Sequence, residues 1–357
     1  MSLPGHVSPA SETAFDAFLL LSFGGPQGPD EVLPFLRKVT AGRGIPDERL
    51  AEVAEHYLHF GGISPITAQN QALLAAIEAE FGRRGIGLPV YFGNRNWHPL
   101  LTDTARQLVA DDRRRVLVLA TSATGSYSGC RQYREDLARA AAEVGTDRLS
   151  FTKLRHYFDH PGFIAANAAA LRSALSSLPA DLRETARLVF TAHSIPVSMN
   201  DTAGPDGGLY LAQQLTTARL VAERLRGAGA DFDLVWQSRS GPPQVPWLGP
   251  DVNDHLRALA ADGVRAVVVS PTGFVSDHLE VCWDLDEEAR ATAASLGLAF
   301  ARAATAGTDP DFVSGLVDLV AEQLYGEPPK LLGKLQICGW QCPAGCCPAP
   351  VRRPVGR

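Results

Sequence analysis

The sequence has no long apolar run, no excess of basic residues and few cysteines outside its carboxyl end. No segment approaches the roughly 18 apolar residues that a transmembrane helix requires, so no membrane span is predicted. The net charge is −6 and 20% of the residues are charged, which excludes the basic composition typical of nucleic-acid-binding proteins. Residues 1–13 lack the basic and apolar regions of a signal peptide. We therefore expect a disordered N-terminus and a cytoplasmic protein.

Cysteine is scarce and unevenly placed. Two of the six cysteines are isolated along the chain, and four lie in the last 20 residues: Cys130 and Cys282, then Cys338, Cys342, Cys346 and Cys347. In a cytoplasmic protein such a cluster indicates metal binding rather than disulfides. Residues 327–357 contain few large apolar side chains, so we expect metal–thiolate bonds to fix this tail to the rest of the protein.

The remainder of the chain alternates apolar strands with helical patterns. Eight short apolar runs are predicted to be strands: 15–23, 89–93, 115–120, 149–154, 188–191, 234–237, 264–269 and 299–303. Helical patterns separate most of these runs, an arrangement that favours βαβ units and parallel sheets. Eight strands in about 300 residues fit two doubly wound halves of four better than one closed barrel.

The predicted division of the chain follows from this alternation. The first domain is predicted at residues 14–157, completed by a carboxyl-terminal helix at 308–326. The second domain is predicted at residues 158–307, because the region around Tyr157 follows the fourth strand and is a plausible crossing point. The Cys-rich tail at 327–357 follows the closing helix.

Three carboxylates follow the predicted strand at 264–269. Glu280, Asp284 and Glu288 are four residues apart and would lie on one face of a helix, where like charges repel. In one interpretation Asp277 caps this helix, Glu280 completes a capping box, and the other carboxylates form a solvated face. In the other, the row handles protons or a divalent metal, for which carboxylate oxygens are suitable ligands. Sites in open α/β sheets lie beyond the carboxyl ends of the strands, which favours the second interpretation.

Other polar side chains follow neighbouring strands. His193 comes directly after the strand at 188–191, and an imidazole there is suited to accept protons from weakly acidic N–H groups. Loops at equivalent strand ends carry further aromatic, hydroxyl and basic side chains: Arg95, His98, Ser126, Tyr127 and Trp236. Together these groups would line one cleft, as a flat anionic macrocycle requires.

Six segments of the sequence resemble the ferrochelatase family, which inserts Fe²⁺ into a porphyrin in haem synthesis. In family order over residues 15–325 they are LLSFGGP at 20–26, GGISPI at 61–66, TAHSIP at 191–196, VWQS at 235–238, PWLGP at 246–250 and GFVSDHLE at 273–280. The resemblance implies an α/β fold of two Rossmann-like domains, each a four-stranded parallel sheet flanked by helices, with the porphyrin in the cleft between them.

The resemblance also implies roles for individual residues. His193 and Glu280 match the essential histidine and acid of the family, and both are candidates to contact the substrate Fe²⁺. Asp284 and Glu288 match its proposed metal or proton path. Predicted porphyrin contacts are Phe23, Arg43, Ser64, Arg95, His98, Ser126, Tyr127 and Trp236. Some bacterial relatives have an iron-ligating tyrosine in the first loop, and Phe23 excludes that ligation here.

The tail and Cys130 resemble the actinobacterial members of the family, which metallate coproporphyrin III and carry a [2Fe–2S] cluster. By this resemblance we expect the ligands to be Cys130, Cys342, Cys346 and Cys347. Four thiolates suit Zn²⁺ as well as an iron–sulfur cluster, so zinc is the alternative. Cys338 is the spare thiol, but two adjacent ligands are geometrically tight and Cys338 could replace one of them.

Two other functions are compatible with the sequence. A cobalt or nickel chelatase would act on a related tetrapyrrole with the same groups, and a tetrapyrrole carrier would use the cleft without catalysis. For the preferred function the partners are a porphyrin and Fe²⁺, and the protein is expected to be a monomer.

Overall fold

The computed structural model describes residues 15–42, 44–241, 244–339 and 342–350. The predicted porphyrin contact Arg43 and the predicted disordered N-terminus at 1–13 lie outside these residues. The strands are β1 (Ala17–Ser22), β2 (Val90–Asn94), β3 (Arg115–Ala120), β4 (Ser150–Lys153), β5 (Arg187–His193), β6 (Asp233–Gln237), β7 (Ala266–Ser270) and β8 (Ala299–Arg302). Each strand begins and ends within two residues of the apolar run that predicted it.

Twelve α-helices are present in the described residues. They are α1 (Val32–Val39), α2 (Asp47–His59), α3 (Pro65–Arg84), α4 (Leu101–Ala110), α5 (Gln132–Val144), α6 (Pro161–Ser177), α7 (Val197–Asp201), α8 (Leu209–Arg226), α9 (Val252–Ala261), α10 (Leu279–Val281), α11 (Arg290–Ser295) and α12 (Pro310–Tyr325). A short 3₁₀ helix precedes α1 at Pro29–Glu31, and π-helical segments occur at Tyr127–Arg131 and Cys282–Ala289. None of the helices in the described ranges has both the length and the apolarity to cross a bilayer.

The strands form two four-stranded parallel sheets, as predicted. Their orders are β2-β1-β3-β4 and β6-β5-β7-β8, so each sheet repeats the same topology. In each sheet the second strand in chain order lies on one side of the first strand, and the third strand lies on its other side. The topological switch points are therefore β1/β3 and β5/β7, and ligand sites are expected at their carboxyl ends. The predicted fold class is confirmed.

One helix, α6, packs against both sheets. Phe163 and Ala166 of α6 pack with α12 against the first sheet, whereas Ile164, Ala168 and Leu171 pack against the second. The predicted boundary between residues 157 and 158 falls just before this shared helix. Because α6 packs against both sheets, it belongs to both cores, whereas α12 packs against the first sheet.

Polar contacts hold the first part of the tail to the body, and the expected metal–thiolate bonds stay a prediction. Lys330 pairs with Asp318 over 2.8 Å, and the backbone N–H of Gly333 donates to Asp159 over 3.1 Å. Further along, the backbone N–H of His156 donates to the carbonyl oxygen of Cys338 over 2.9 Å. These contacts fix residues 330–339 to the first sheet and α12 without a metal. The composition of the tail gave no indication of these polar partners.

Candidate functional site

The two central predicted residues lie side by side at the β5/β7 switch point. His193 is the last residue of β5 rather than part of a loop, and Glu280 is in α10, after β7. The Nε2 atom of His193 is 3.7 Å from Oε2 of Glu280, and their side chains are 35% and 45% exposed. Gly273 permits this approach, because a Cβ there would lie 2.5 Å from Cβ of Ala192. A substrate in the cleft can therefore reach both groups from one side.

The orientation of the His193 ring is determined by a backbone contact. Its Nδ1 atom lies 2.6 Å from the carbonyl oxygen of Ser194, a contact that requires the proton on Nδ1 and leaves a lone pair on Nε2. Burial lowers the pKa of His193, but the adjacent carboxylate of Glu280 opposes this effect, and the net pKa is raised. His278 lies near the same pair, and burial lowers its pKa. The arrangement presents a neutral or a protonated imidazole beside a carboxylate, as proton transfer requires.

Asp284 is the second member of the carboxylate row, and its surroundings favour the protonated form. Burial raises the pKa of Asp284 to about 7, with support from the charges of Glu280 and Glu288 and opposition from two hydrogen bonds. These bonds come from the Ser238 hydroxyl and from Nε2 of Gln237, the latter over 3.2 Å. Ser238 has a left-handed backbone, with φ of 61°, immediately after β6. A carboxyl group with this pKa can accept and release a proton near neutral pH.

The row lies mostly on a π-helix, not on the α-helix that the sequence predicted. The segment Cys282–Ala289 is π-helical, and its wider turn aligns residues four apart better than an α-helical turn does. At the outer end, Trp283 donates to Glu288 over 2.9 Å and stacks on His56 of α2 at 3.9 Å. The three carboxylates therefore run from the cleft to the surface beside α2.

The predicted capping box is absent. The residue before α10 is His278, which makes no capping hydrogen bond with its side chain. Asp277 instead pairs with Arg302 over 3.0 Å, and its backbone N–H donates to Gln69. Glu280 therefore has no capping role, because the cap position lies one residue later than the sequence pattern suggested.

Four of the predicted porphyrin contacts are buried in other interactions, and their contact with a porphyrin stays a prediction. The Arg95 side chain is 4% exposed, pairs with Asp136 and lies 4.4 Å from the centre of the Tyr133 ring. The others are Ser64, 4% exposed, Ser126, 1% exposed with its Oγ accepting from the backbone of Gly129, and Trp236, 3% exposed in an apolar cluster. A direct porphyrin contact by any of them requires local rearrangement.

The remaining predicted contacts keep accessible surface. Phe23 is 38% exposed at the end of β1, and His98 is exposed beside Trp97. Tyr127 is half-buried, and its hydroxyl donates to Glu135 over 3.2 Å. Phe23 and Tyr127 follow β1 and β3, so they lie at the switch point of the first sheet. Their contact with a porphyrin stays a prediction.

Several residues near the row were not assigned a role from the sequence. Gln237 and Ser238 lie in a segment that sequence analysis noted, and their position after β6 was the available signal. Tyr57 of α2 carries no such signal, yet it is buried, and the charges of Glu280 and Asp284 contribute to its raised pKa after the larger effect of burial. Residues more than 200 positions apart meet here, so no local pattern could have identified Tyr57.

The predicted thiol ligands come to one place from the segment after β3 and from the tail. Cys130 lies in the π-helical segment Tyr127–Arg131, and Cys346 and Cys347 are buried with their sulfur atoms 3.7 Å apart. A hydrogen bond from Cys338 is the main cause that lowers the pKa of Cys342 to about 5. Cys338 therefore lies beside a predicted ligand. Across the described residues, no three or more His, Cys, Asp or Glu side chains are already arranged as a metal site.

We expect the free energy of unfolding to depend on pH because of the raised pKa of Asp284. Its pKa of about 7 exceeds the ordinary value of 3.8, so the folded state binds this proton more tightly than the unfolded chain. The resulting stabilisation is complete below pH 3.8 and is lost as the pH rises to about 7. Asp284→Asn removes this loss and should gain roughly 1–3 kcal/mol relative to wild type between about pH 4 and pH 8.

Urea unfolding of the metal-free protein at both pH values measures this difference. Asp254→Asn, at an exposed aspartate of α9 that pairs only with Arg257 over 2.9 Å, is the control and should show no such pH dependence. A constant difference between Asp284→Asn and wild type across this range would contradict the assignment.

Comparison with known proteins gives one consistent result. A family model described as Ferrochelatase matches residues 15–324. The chain is 58% identical over 350 residues to "Coproporphyrin III ferrochelatase" of Nocardia farcinica, covering 96% of this chain and 99% of the relative. It is 53% identical over 357 residues to the protein of the same name from Streptomyces coelicolor, covering 96% of this chain and 95% of the relative.

A solved structure agrees in fold. The structure titled "SirB from Bacillus subtilis with Fe3+" superposes with a TM-score of 0.55 at 12% sequence identity, covering 87% of this chain and 96% of that one. At this identity the likeness concerns only the fold, which is shared over both sheets.

Proposed function

Because this chain belongs to the ferrochelatase family, we propose that it inserts Fe²⁺ into coproporphyrin III. The close relatives named for this substrate support the choice of porphyrin. The observation that carries the chemistry is the pair formed by His193 and Glu280, whose facing atoms are 3.7 Å apart at the β5/β7 switch point. Insertion requires two pyrrole N–H protons to leave while Fe²⁺ loses its water ligands. The pair supplies a base and a carboxylate for these two events.

The carboxylate row provides a route for the released protons or the entering metal. Glu280 lies at the cleft, Asp284 can exchange a proton near neutral pH, and Glu288 is exposed at the outer end. Each carboxylate interacts with the next, because the charges of both neighbours contribute to the raised pKa of Asp284. Charge can therefore move along the row without any group crossing apolar protein.

We expect a clear preference for coproporphyrin III over protoporphyrin IX. Coproporphyrin has four propionates where protoporphyrin has two propionates and two vinyl groups, so each additional carboxylate can gain a charge-assisted contact. One such contact contributes roughly 1.5–3 kcal/mol, which corresponds to about ten- to a hundredfold in kcat/KM. The candidate donors for these carboxylates are Arg43, Ser64, Arg95, Ser126 and Tyr127.

Anaerobic insertion assays with each porphyrin and Fe²⁺ measure this preference. Faster turnover of protoporphyrin IX would contradict the proposed substrate while leaving iron insertion intact. The same assay with Co²⁺ and Ni²⁺ tests the alternative metals. A protein that binds porphyrin tightly but turns over none of these metals would instead be a carrier.

The thiol site is the second part of the proposal, and we assign it a [2Fe–2S] cluster held by Cys130, Cys342, Cys346 and Cys347. The donor set supports this choice, because the five thiols interact with one another, and thiolates select iron–sulfur clusters or zinc. When bound, such a cluster would supply electron-transfer capacity and hold the tail. Zn²⁺ is the alternative for the same ligands.

The proposal also includes a cytoplasmic location and a monomeric state. A cytoplasmic location agrees with six free cysteines and with the reducing conditions under which free Fe²⁺ persists. We propose that the protein acts as a monomer, with a porphyrin and Fe²⁺ as its substrates. Size-exclusion chromatography with light scattering measures the oligomeric state.

A further inference from the structure

The peptide group between His193 and Ser194 is held from two sides. The Ser194 N–H donates to the carbonyl oxygen of Gln237 over 2.8 Å, which continues the β5/β6 ladder. The His193 carbonyl accepts from the Tyr210 hydroxyl, also over 2.8 Å. The next carbonyl, that of Ser194, is the acceptor for Nδ1 of His193. A rotation of the held peptide would move that acceptor and release the imidazole.

Tyr210 is a rigid support for this contact. It is the second residue of α8, is 6% exposed, and packs against Trp236 with the ring centres 5.7 Å apart. Its apolar cluster also contains Cys346 and Cys347 of the tail. The packing of the ring therefore directs the hydroxyl at the end of β5.

The tail contributes directly to the position of α8. The Gly204 N–H donates to Sγ of Cys347 over 3.1 Å, and the Leu209 N–H donates to the carbonyl oxygen of Ala203 over 3.1 Å. The turn before α8 therefore contacts the thiol segment through Gly204. Its other end leads into α8, the helix that carries Tyr210.

We infer that Tyr210 is a positioning residue for metal insertion, which holds the His193–Ser194 peptide so that Nε2 of His193 faces Glu280. The Cys346–Cys347 pair forms part of the packing that keeps Tyr210 in place. The inference rests on the proposed function, because its consequence is measured in the insertion reaction. Tyr210 lies on the side of β5 remote from the proposed substrate, and no motif in the sequence analysis includes it.

Tyr210→Phe tests the inference, with Tyr157→Phe as the matched control. Tyr157 is 2% exposed, and its hydroxyl donates to the carbonyl oxygen of Ala120 over 3.0 Å, at the end of β3 in the other sheet. Both variants lose one buried hydrogen bond to a strand end, so both should lose similar thermal stability. Only Tyr210→Phe should lower kcat, by about tenfold, with KM for the porphyrin unchanged. Tyr157→Phe should keep the wild-type kcat.

The outcomes separate the inference from the function on which it rests. Equal kcat values for the two variants, or a loss in Tyr210→Phe that appears only in KM, would overturn the positioning role. Absence of turnover by the wild type would overturn the proposed function instead. If Tyr210→Phe is the less stable variant, both are compared at a temperature at which circular dichroism shows them fully folded. Tyr210→Leu, which also removes the ring from the Cys346–Cys347 pair, should lower kcat further.

Discussion

Replacing His193 by alanine should reduce Fe²⁺ insertion by about 10²- to 10⁴-fold, the usual contribution of a positioned general base. The Nδ1 atom of His193 donates a hydrogen bond to the Ser194 carbonyl oxygen, so Nε2 is the nitrogen that can accept a proton in the cleft. Porphyrin binding should persist in this variant, because the ring contributes one edge of a large surface. Stopped-flow or steady-state insertion assays give the rate, and porphyrin fluorescence gives the binding.

Glu280→Ala should cause a loss of similar size for a different reason. The carboxylate raises the pKa of His193 against the effect of burial and is the cleft end of the row, so its removal affects both proton acceptance and metal delivery. Asp284→Ala and Glu288→Ala should be milder, because water can replace outer members of a relay.

A second histidine–carboxylate pair provides the control. His255 Nε2 lies 3.0 Å from Oδ2 of Asp233, at the amino end of β6 and so at the opposite edge of the same sheet. His255→Ala removes a comparable pair without touching the cleft and should leave kcat near the wild-type value. Near-normal turnover of His193→Ala would show that another group accepts the pyrrole protons.

The Cys130→Ser variant should lose its metal centre completely. The wild-type protein should be red-brown with about two irons and two sulfides per chain, whereas Cys130→Ser should be colourless. Cys130 is the only predicted ligand outside the tail and comes from the π-helical segment after β3. Its loss should loosen the chain from Cys342 onward. Residues 330–339 should stay protected from proteolysis, because their anchors to Asp159, Asp318 and His156 contain no metal.

Cys338→Ser is the matched control and should retain the colour. Cys338 hydrogen-bonds Cys342, and a serine hydroxyl can still donate there, so the substitution tests ligation more than packing. A colourless Cys338→Ser variant would assign Cys338 as a ligand in place of one of the adjacent pair. A colourless wild-type protein with about one zinc per chain would support the zinc site instead. Absorption spectra with iron, sulfide and zinc analysis distinguish these results.

The sequence by itself determined the family and most of the fold. Apolar runs such as that at residues 116–120 mark buried parallel strands, because a strand covered on both faces needs apolar side chains on both. His193 and Glu280 were predicted to meet because they follow strands of one half, and the carboxyl ends of parallel strands share one edge. These inferences depend on residues that are close in the chain or on the general geometry of sheets.

Only the tertiary structure decided which side chains face the cleft. Arg95 was predicted as a propionate donor, and the fold pairs it with Asp136, 41 positions later, while Trp236 joins the packing behind β5. The polar anchors of the tail, the π-helical course of the acidic row and the Tyr210 contact likewise depend on distant partners. A buried polar group pairs with whatever partner the fold brings to it, because leaving it unpaired costs free energy. Since these partners are distant in the chain, the sequence pattern does not show them.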